Sequence, residues 1–280
     1  MRSQLKYAFK YLKYWLLAKH KKGHGIHSPF VYDLITEVFN HKKNDPGLKN
    51  IFDIHSKYRK SKKPLAYHEM GAGTHVKTIH GAKSLKSAKA LNPRKVSSTI
   101  GKTIRKSSVS KKYGRLIYHL VKHYKPENIL EIGTSLGIST LYLASGSPEV
   151  KIATIEGVKE KAQIAQKLAH EINLTDIHFI VDDFDSALPE VIKKFDKLDV
   201  VFFDGNHTKN STLKYFNICL NKANHDSIFI FDDIHWSEEM EQAWETIKNH
   251  EKVQMSIDLF RLGIVFFRPG ITPGNYLIKF

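Results

Sequence analysis

The chain has 280 residues, 41% hydrophobic and 26% charged, with 44 Lys and Arg against 28 Asp and Glu for a formal net charge of +16. That length holds one α/β core of ordinary size plus an extension, and the single cysteine, Cys219, excludes an intramolecular disulfide and points to a reducing, cytoplasmic setting. No apolar run approaches the roughly 20 residues that span a bilayer, and Lys6, Lys10 and Lys13 interrupt the start of the chain as a secretory leader.

Residues 1–32 hold seven Lys or Arg and no acid, and residues 71–126 hold fourteen and no acid. Together they carry +21 within a chain of +16, so everything else is left at −5. Basicity therefore belongs to the appended segments, which suits an anionic partner (RNA, an acyl-CoA or phosphorylated molecule, or a membrane surface) or a solvated basic face. In the first segment Leu5, Phe9, Leu12 and Leu16 share one helical face, with Lys6, Lys10 and Lys13 beside it and Tyr7, Tyr11 and Tyr14 on a third side. That apolar face is expected to pack onto the core, or onto a second subunit of a homodimer, in preference to lying on a membrane or nucleic acid. Gly23 to Phe30 then turns the chain into a helix over 30–39. His24 and His27 in that turn could contact a substrate, but without a third ligand they do not make a zinc site.

Between residues 40 and 112 the pattern is weak. Glu69, Gly71 and Gly73 imitate a cofactor turn, yet no strongly apolar strand precedes them, and a lid role is open to this stretch. Gly101-Lys102-Thr103 has Val96 where a phosphate loop requires its first glycine, so that reading is rejected. From Asn128 the signal strengthens. Ile129 to Ile132 is a short apolar run suited to a strand covered on both faces. It is followed by Gly133 and Gly137, where a glycine turn and a helix start can receive a carboxylate or a ribose hydroxyl. A second strand ends at Glu156, some 20 residues further on, where an acid at a strand tip accepts both ribose hydroxyls. Three more apolar strands end at Asp182-Asp183-Phe184, at Asp204-Gly205-Asn206-His207 and at Asp232-Asp233, all on the carboxyl edge of one sheet.

In this order and spacing the five strand ends resemble the class I S-adenosylmethionine-dependent methyltransferases. Within that class they are most similar to the metal-dependent O-methyltransferases related to catechol and caffeoyl-CoA O-methyltransferases, and to bacterial relatives with an Asp-Gly-x-His strand end. The likeness runs from about Ser108 to Arg268. It takes in the helix opening at Lys111–Leu116 and the closing strand pair at Val253–Leu259 and Leu262–Phe267. It implies an α/β fold with a seven-stranded Rossmann-like sheet, mostly parallel with the last strand antiparallel. The methyltransferase domain would occupy 108–280, behind a basic helical extension over 1–107.

The resemblance further implies that Glu131, Gly133, Thr134, Ser135, Gly137 and Ser139 surround the methionine part of S-adenosylmethionine, Glu156 its ribose, and Asp183 and Phe184 its adenine. Asp182 departs from the family, which commonly has glycine there, and Asp183 could instead cap the next helix. Asp204, Asp232 and Asp233 would hold Mg²⁺, an oxygen-only set suited to a hard cation that binds the acceptor oxygen. His207 stands where animal and plant relatives carry a basic lysine, and its ordinary pKa near 6.5 suits a general base. His235 and Trp236 are weaker candidates for shaping the acceptor pocket. The expected activity is Mg²⁺-assisted O-methylation of a small or anionic acceptor, with an RNA methyltransferase and a non-catalytic scaffold as the alternatives.

Overall fold

A computed structural model describes residues 2–41, 45–69, 94–147 and 149–280. The Gly71 and Gly73 turn, with residues 42–44 and 70–93 of the stretch considered as a lid, lies outside these described residues. The chain opens with helices α1 (Arg2–Leu17) and α2 (Pro29–Asp33), the latter running into a π-helical turn over Leu34–Phe39. There follow α3 (Pro46–Arg59), the hairpin strands β1 (Pro64–Glu69) and β2 (Arg94–Thr99), α4 (Ile100–Ser107) and α5 (Lys111–Tyr124). The α/β alternation then runs β3 (Asn128–Ile132), α6 (Ile138–Gly146), β4 (Lys151–Glu156), α7 (Lys159–His170), β5 (Ile177–Val181) and α8 (Phe184–Ile192). It continues through β6 (Leu198–Phe203), α9 (Lys209–Leu220), β7 (Ala223–Phe231) and α10 (Glu238–Lys248). Strands β8 (Met255–Asp258), β9 (Gly263–Phe266) and β10 (Gly274–Leu277) close the chain.

The main sheet has the order β10-β8-β9-β7-β6-β3-β4-β5. Its pairs are parallel except that β9 runs antiparallel between β7 and β8. The sheet therefore has the expected mostly parallel form, with the seventh strand reversed. An eighth strand, β10, is added in parallel beside β8, and the sequence pattern did not reveal it because Gly274–Leu277 has no apolar alternation. Order reverses at β3, whose neighbours are β4 and β6, and a crevice opens there at the carboxyl ends of the strands. Strand β6 is buried along its whole length, as a strand covered by helices on both faces must be.

Local chemistry sets the helix ends. Ser110, Asp183, Thr208 and Ser237 cap α5, α8, α9 and α10, each side chain accepting from the backbone N–H three residues on. Helix α5 stops at Lys125, left-handed at φ 48°, just before Pro126. Helix α6 carries no charged residue and is buried nearly all round, because the sheet lies on one side and α5 and α3 on the other. The N-terminal helices share this core: Val31, Leu34 and Ile51 belong to the same apolar cluster as Leu116 and Ile138. Asp45 fixes the start of α3 by accepting from the Tyr118 hydroxyl at 2.8 Å, with Lys122 paired to its other oxygen.

Helix α1 packs by a different face from the one its pattern suggests. Tyr7, Tyr11 and Tyr14 surround the Phe260 ring at centroid distances of 5.1, 5.0 and 5.2 Å. The Tyr14 hydroxyl donates to the Ile278 carbonyl and accepts from the Phe280 N–H. Leu5, Phe9, Leu12 and Leu16, expected to be the packing face, point away and are exposed. The tyrosines win because each offers a large ring, and Tyr14 adds a hydroxyl that satisfies backbone groups beyond β10.

Gly137 fixes the start of α6 at φ 80°, and a Cβ there would lie 2.7 Å from the Ala165 Cβ of α7. Its role is helix–helix contact rather than clearance for a ligand. Gly137→Leu should therefore destabilise the fold by roughly 2 to 4 kcal/mol, from the left-handed backbone and the clash combined. Urea unfolding monitored by circular dichroism checks this; an unchanged midpoint would show that α6 and α7 are not in such close contact.

Candidate active site

The carboxyl edge around β3 holds a cleft of about 840 Å³, of a size that takes a cofactor together with a small acceptor. Gly133, Ser135, Glu156 and Phe184 line one part of it, and Asp204, His207, Asp233, Trp236 and Arg261 another. Lys6, Tyr7 and Lys10 of α1 and Lys106, Ser107 and Lys161 complete its rim. A smaller cleft of about 320 Å³ lies at the amino ends of the strands, beside the Lys197–Glu127 and Lys197–Asp199 ion pairs. It is remote from every strand-end acid singled out above.

The turn after β3 is shaped by its neighbours. Gly133 has φ 107°, and a Cβ there would lie 2.3 Å from the Asp204 carbonyl oxygen, so only glycine lets the ends of β3 and β6 meet. The Gly133 and Thr134 N–H groups both donate to the Ile155 carbonyl, at 3.0 and 3.1 Å. Ser135, left-handed at φ 48°, donates its N–H to Glu156 Oε2 at 2.8 Å and sets its hydroxyl 3.1 Å from that of Ser107. Glu156 Oε1 accepts from the Val158 N–H at 3.0 Å. Each oxygen thus takes one backbone donor, which orients the carboxylate and leaves lone pairs for a ribose diol.

Other residues expected around the cofactor lie behind the cleft wall. Glu131 is wholly buried, and its Oε2 accepts from the hydroxyls of Thr140 (2.5 Å) and Thr154 (2.6 Å). Its Oε1 has no partner at hydrogen-bond geometry, although the Ser139 hydroxyl is close enough to moderate its acidity. Burial pushes its pKa up to about 7 against the hydroxyls of Ser139, Thr140 and Thr154. Thr134 is buried against Thr154, Ser139 is buried in the first turn of α6, and Asp183 caps α8 through the Ser186 N–H at 2.9 Å. The hydrogen bonds from Ser186 hold the Asp183 carboxyl below the usual range. Phe184 reaches the cleft, edge-on to Tyr215 at 6.0 Å. His235 does not: it sits between Glu241 (3.0 Å) and Asp258 (2.8 Å) and stacks on Phe260, while Trp236 stands at the cleft mouth. His24 and His27 lie on the surface away from the lining residues.

The three aspartates come together, but with a fourth residue among them. Arg261, at the tip of the β8–β9 turn, donates Nε to Asp232 Oδ1 at 2.9 Å and Nη2 to Asp232 Oδ2 at 2.8 Å. Its Nε also lies 3.5 Å from Asp233 Oδ1. This is a bidentate, charge-assisted pair on a carboxylate that is 1% exposed. Removing the arginine would strand a buried charge at a cost of about 3 to 5 kcal/mol. A divalent ion on Asp232 would therefore have to sit beside a guanidinium that already neutralises that carboxylate. Among the described residues no group of three or more His, Cys, Asp and Glu is arranged to hold a metal. This departs from the expected Asp204, Asp232 and Asp233 centre. Arg261 escaped the sequence reading because it sits between two strands with no motif around it; the signal was an arginine at a turn facing two acidic strand ends.

Burial and the Asp232 charge raise the Asp233 carboxyl to about 6. His207 Nε2 lies 3.4 Å from Asp204 Oδ1. Burial disfavours its charge, but the Asp204 hydrogen bond and the charges of Asp204, Asp233 and Asp232 outweigh this and push its pKa up to about 9. The imidazole therefore carries a proton at pH 7, unlike the near-neutral base that its ordinary pKa suggested.

The fold and cleft have counterparts among known proteins. Residues 130–234 match the family described as a methyltransferase domain. Catechol O-methyltransferase of Sus scrofa is 31% identical over 100 residues, covering 34% of this chain and 54% of that protein. The catechol O-methyltransferase of Mycobacterium tuberculosis is 25% identical over 129 residues, covering 45% and 57%. The chain thus spans a little over half the length of the curated relatives it matches. Among solved structures, the O-methyltransferase from Bacillus cereus in complex with SAH superposes with a TM-score of 0.52 at 18% identity, over 85% of this chain and 97% of that one. The O-methyltransferase TomG from Streptomyces achromogenes, in complex with SAM, gives 0.53 at 16% identity, over 81% and 91%. The chain has the Rossmann-like fold of the class I methyltransferases, and its sequence resembles the catechol O-methyltransferase group.

The proton on His207 has a consequence for stability. Its folded pKa of about 9 exceeds the unfolded value near 6.5, so its contribution is fully present below pH 6.5 and is lost as pH rises through 9. The urea midpoint of the parent should fall across that window by more than that of His207→Gln. Equal slopes in the two proteins would place the imidazole proton elsewhere.

Proposed function

We propose that this protein is an S-adenosylmethionine-dependent methyltransferase that modifies an oxygen of a small acceptor. The observation that carries this is the single cleft in which Glu156 and Phe184 face Asp204 and His207 across the Gly133 turn. S-adenosylmethionine supplies an electrophilic methyl group when bound. Glu156, pre-oriented by Ser135 and Val158, would accept the ribose hydroxyls, and Phe184 would give the adenine an apolar plane. Gly133 lets the ends of β3 and β6 lie side by side, so acceptor and methyl donor can be held close and in line. His207, once deprotonated, would take the acceptor proton, with Asp204 holding the ring in place. Of the rim lysines, Lys6 and Lys10 are paired with Glu238 and Glu241, while Lys106 and Lys161 favour an acceptor that carries negative charge. The sequence match to catechol O-methyltransferases supports a phenolic or catechol-like oxygen. Buried Cys219 fits a reducing, cytoplasmic setting, and no helix among the described residues is long and apolar enough to cross a membrane.

The Mg²⁺ expected from the resemblance does not fit the carboxylates as they lie, since Arg261 occupies Asp232. In our reading the guanidinium supplies the fixed positive charge at the cleft floor, and no step is routed through a metal.

The test begins with isothermal calorimetry of S-adenosylhomocysteine. Binding is expected, and Glu156→Ala should weaken it by on the order of 1 to 3 kcal/mol. A screen of phenols, catechols and acyl-CoA esters with labelled S-adenosylmethionine should then reveal transfer that survives chelator. His207→Ala should lower it roughly 10²- to 10⁴-fold. Because the base must lose a proton held to about pH 9, the parent rate should still be climbing between pH 7 and 9. Absence of S-adenosylhomocysteine binding would overturn the methyltransferase reading, and loss of activity on chelation would overturn the metal-free one.

A further inference from the structure

The outward face of α1 has no partner in the described chain. Leu5, Phe9, Leu12 and Leu16 are 65%, 69%, 52% and 65% exposed and form one stripe along the helix, opposite the tyrosines that hold it to the protein. Exposed apolar residues this large and this regularly spaced mark a contact surface rather than scattered surface leucines. The exposed ring of Trp15 extends the patch and carries the Lys279 ammonium 3.7 Å from its centroid.

Charge selects among the surfaces that could cover such a stripe. Residues 1–32 contain no acid, and the two glutamates of α10 nearest the helix are already paired, Glu238 with Lys6 and Glu241 with Lys10. Those pairs neutralise Lys6 and Lys10 along with the two glutamates, so the positive charge left beside the apolar stripe is that of Lys13 and of Lys19, Lys21 and Lys22 beyond the helix end. Two copies of a chain of net charge +16 would repel as they approached through this region. An anionic bilayer meets both demands, since it takes Leu, Phe and Trp side chains to the acyl boundary and pairs lysines with its head groups.

We propose that α1 is a membrane-surface anchor that lays its Leu5, Phe9, Leu12 and Leu16 face into an anionic lipid monolayer while its tyrosine face stays on the protein. The helix lies in the interface and does not cross it. The proposal is independent of methyl transfer, because the stripe faces away from the cleft.

Co-sedimentation of the full chain with phosphatidylcholine vesicles, with and without phosphatidylglycerol, tests it. Retention is expected on the anionic vesicles only, falling as salt is raised. The double variant Phe9→Glu, Leu16→Glu should lower the partition coefficient roughly ten-fold or more. Its thermal unfolding should match the parent, since both residues are exposed. Equal binding to neutral and anionic vesicles, or none to either, would overturn the proposal. A concentration-dependent dimer in light scattering that the same variant dissolves would also overturn it, in favour of a second copy on this face.

Discussion

The close approach of β3 and β6 at Gly133 is the constraint on which the site depends. A left-handed backbone and a carbonyl oxygen 2.3 Å from where a Cβ would stand leave no alternative to glycine. With the two strand ends locked together, the Ser135–Glu156 contact on one side and the Asp204–His207 contact on the other face the same crevice. The Ile155 carbonyl ties the turn to β4 as well, so three adjacent strands share one fixed edge. Helix packing at Gly137 and Ala165 supports this edge from behind without entering it.

Electrostatics at the floor of the cleft follow from that geometry. Three aspartates crowd the ends of β6 and β7, and the protein answers with two cations of different kinds. Arg261 is permanently charged and planar, so it grips Asp232 through both oxygens and fixes the β8–β9 turn to the active edge. His207 is titratable and holds its proton through Asp204. One cation is therefore structural in character and the other can exchange a proton with a substrate.

Much of this could be read from the sequence. The five apolar runs and the acids at their ends were visible because buried parallel strands are continuous in hydrophobicity and because a turn such as Gly133 admits few alternatives. The burial of Glu131, the capping role of Asp183 and the packing role of Gly137 were less visible. A buried acid, a capping acid and a ligand-binding acid look the same in one dimension. Arg261 was invisible for a related reason, since it reaches Asp232 across 29 residues from a turn with no motif. The face by which α1 meets the core was not legible, because periodicity shows that a helix has an apolar side but not which side the protein uses. Three tyrosines around Phe260 outcompeted four aliphatic and aromatic residues for the core. The strand β10 and the Lys19–Ile278 bridge beside it, which tie the end of α1 to the sheet, depend on contacts between the two ends of the chain that no local pattern encodes.

The most direct test is a crystal structure of the protein grown with S-adenosylhomocysteine and Mg²⁺ together. The ligand should lie across the Gly133 turn with its ribose hydroxyls on Glu156 and its sulfur toward His207, and Arg261 should still hold Asp232. A ligand bound elsewhere, or a metal ion on Asp204, Asp232 and Asp233 with Arg261 displaced, would contradict the account.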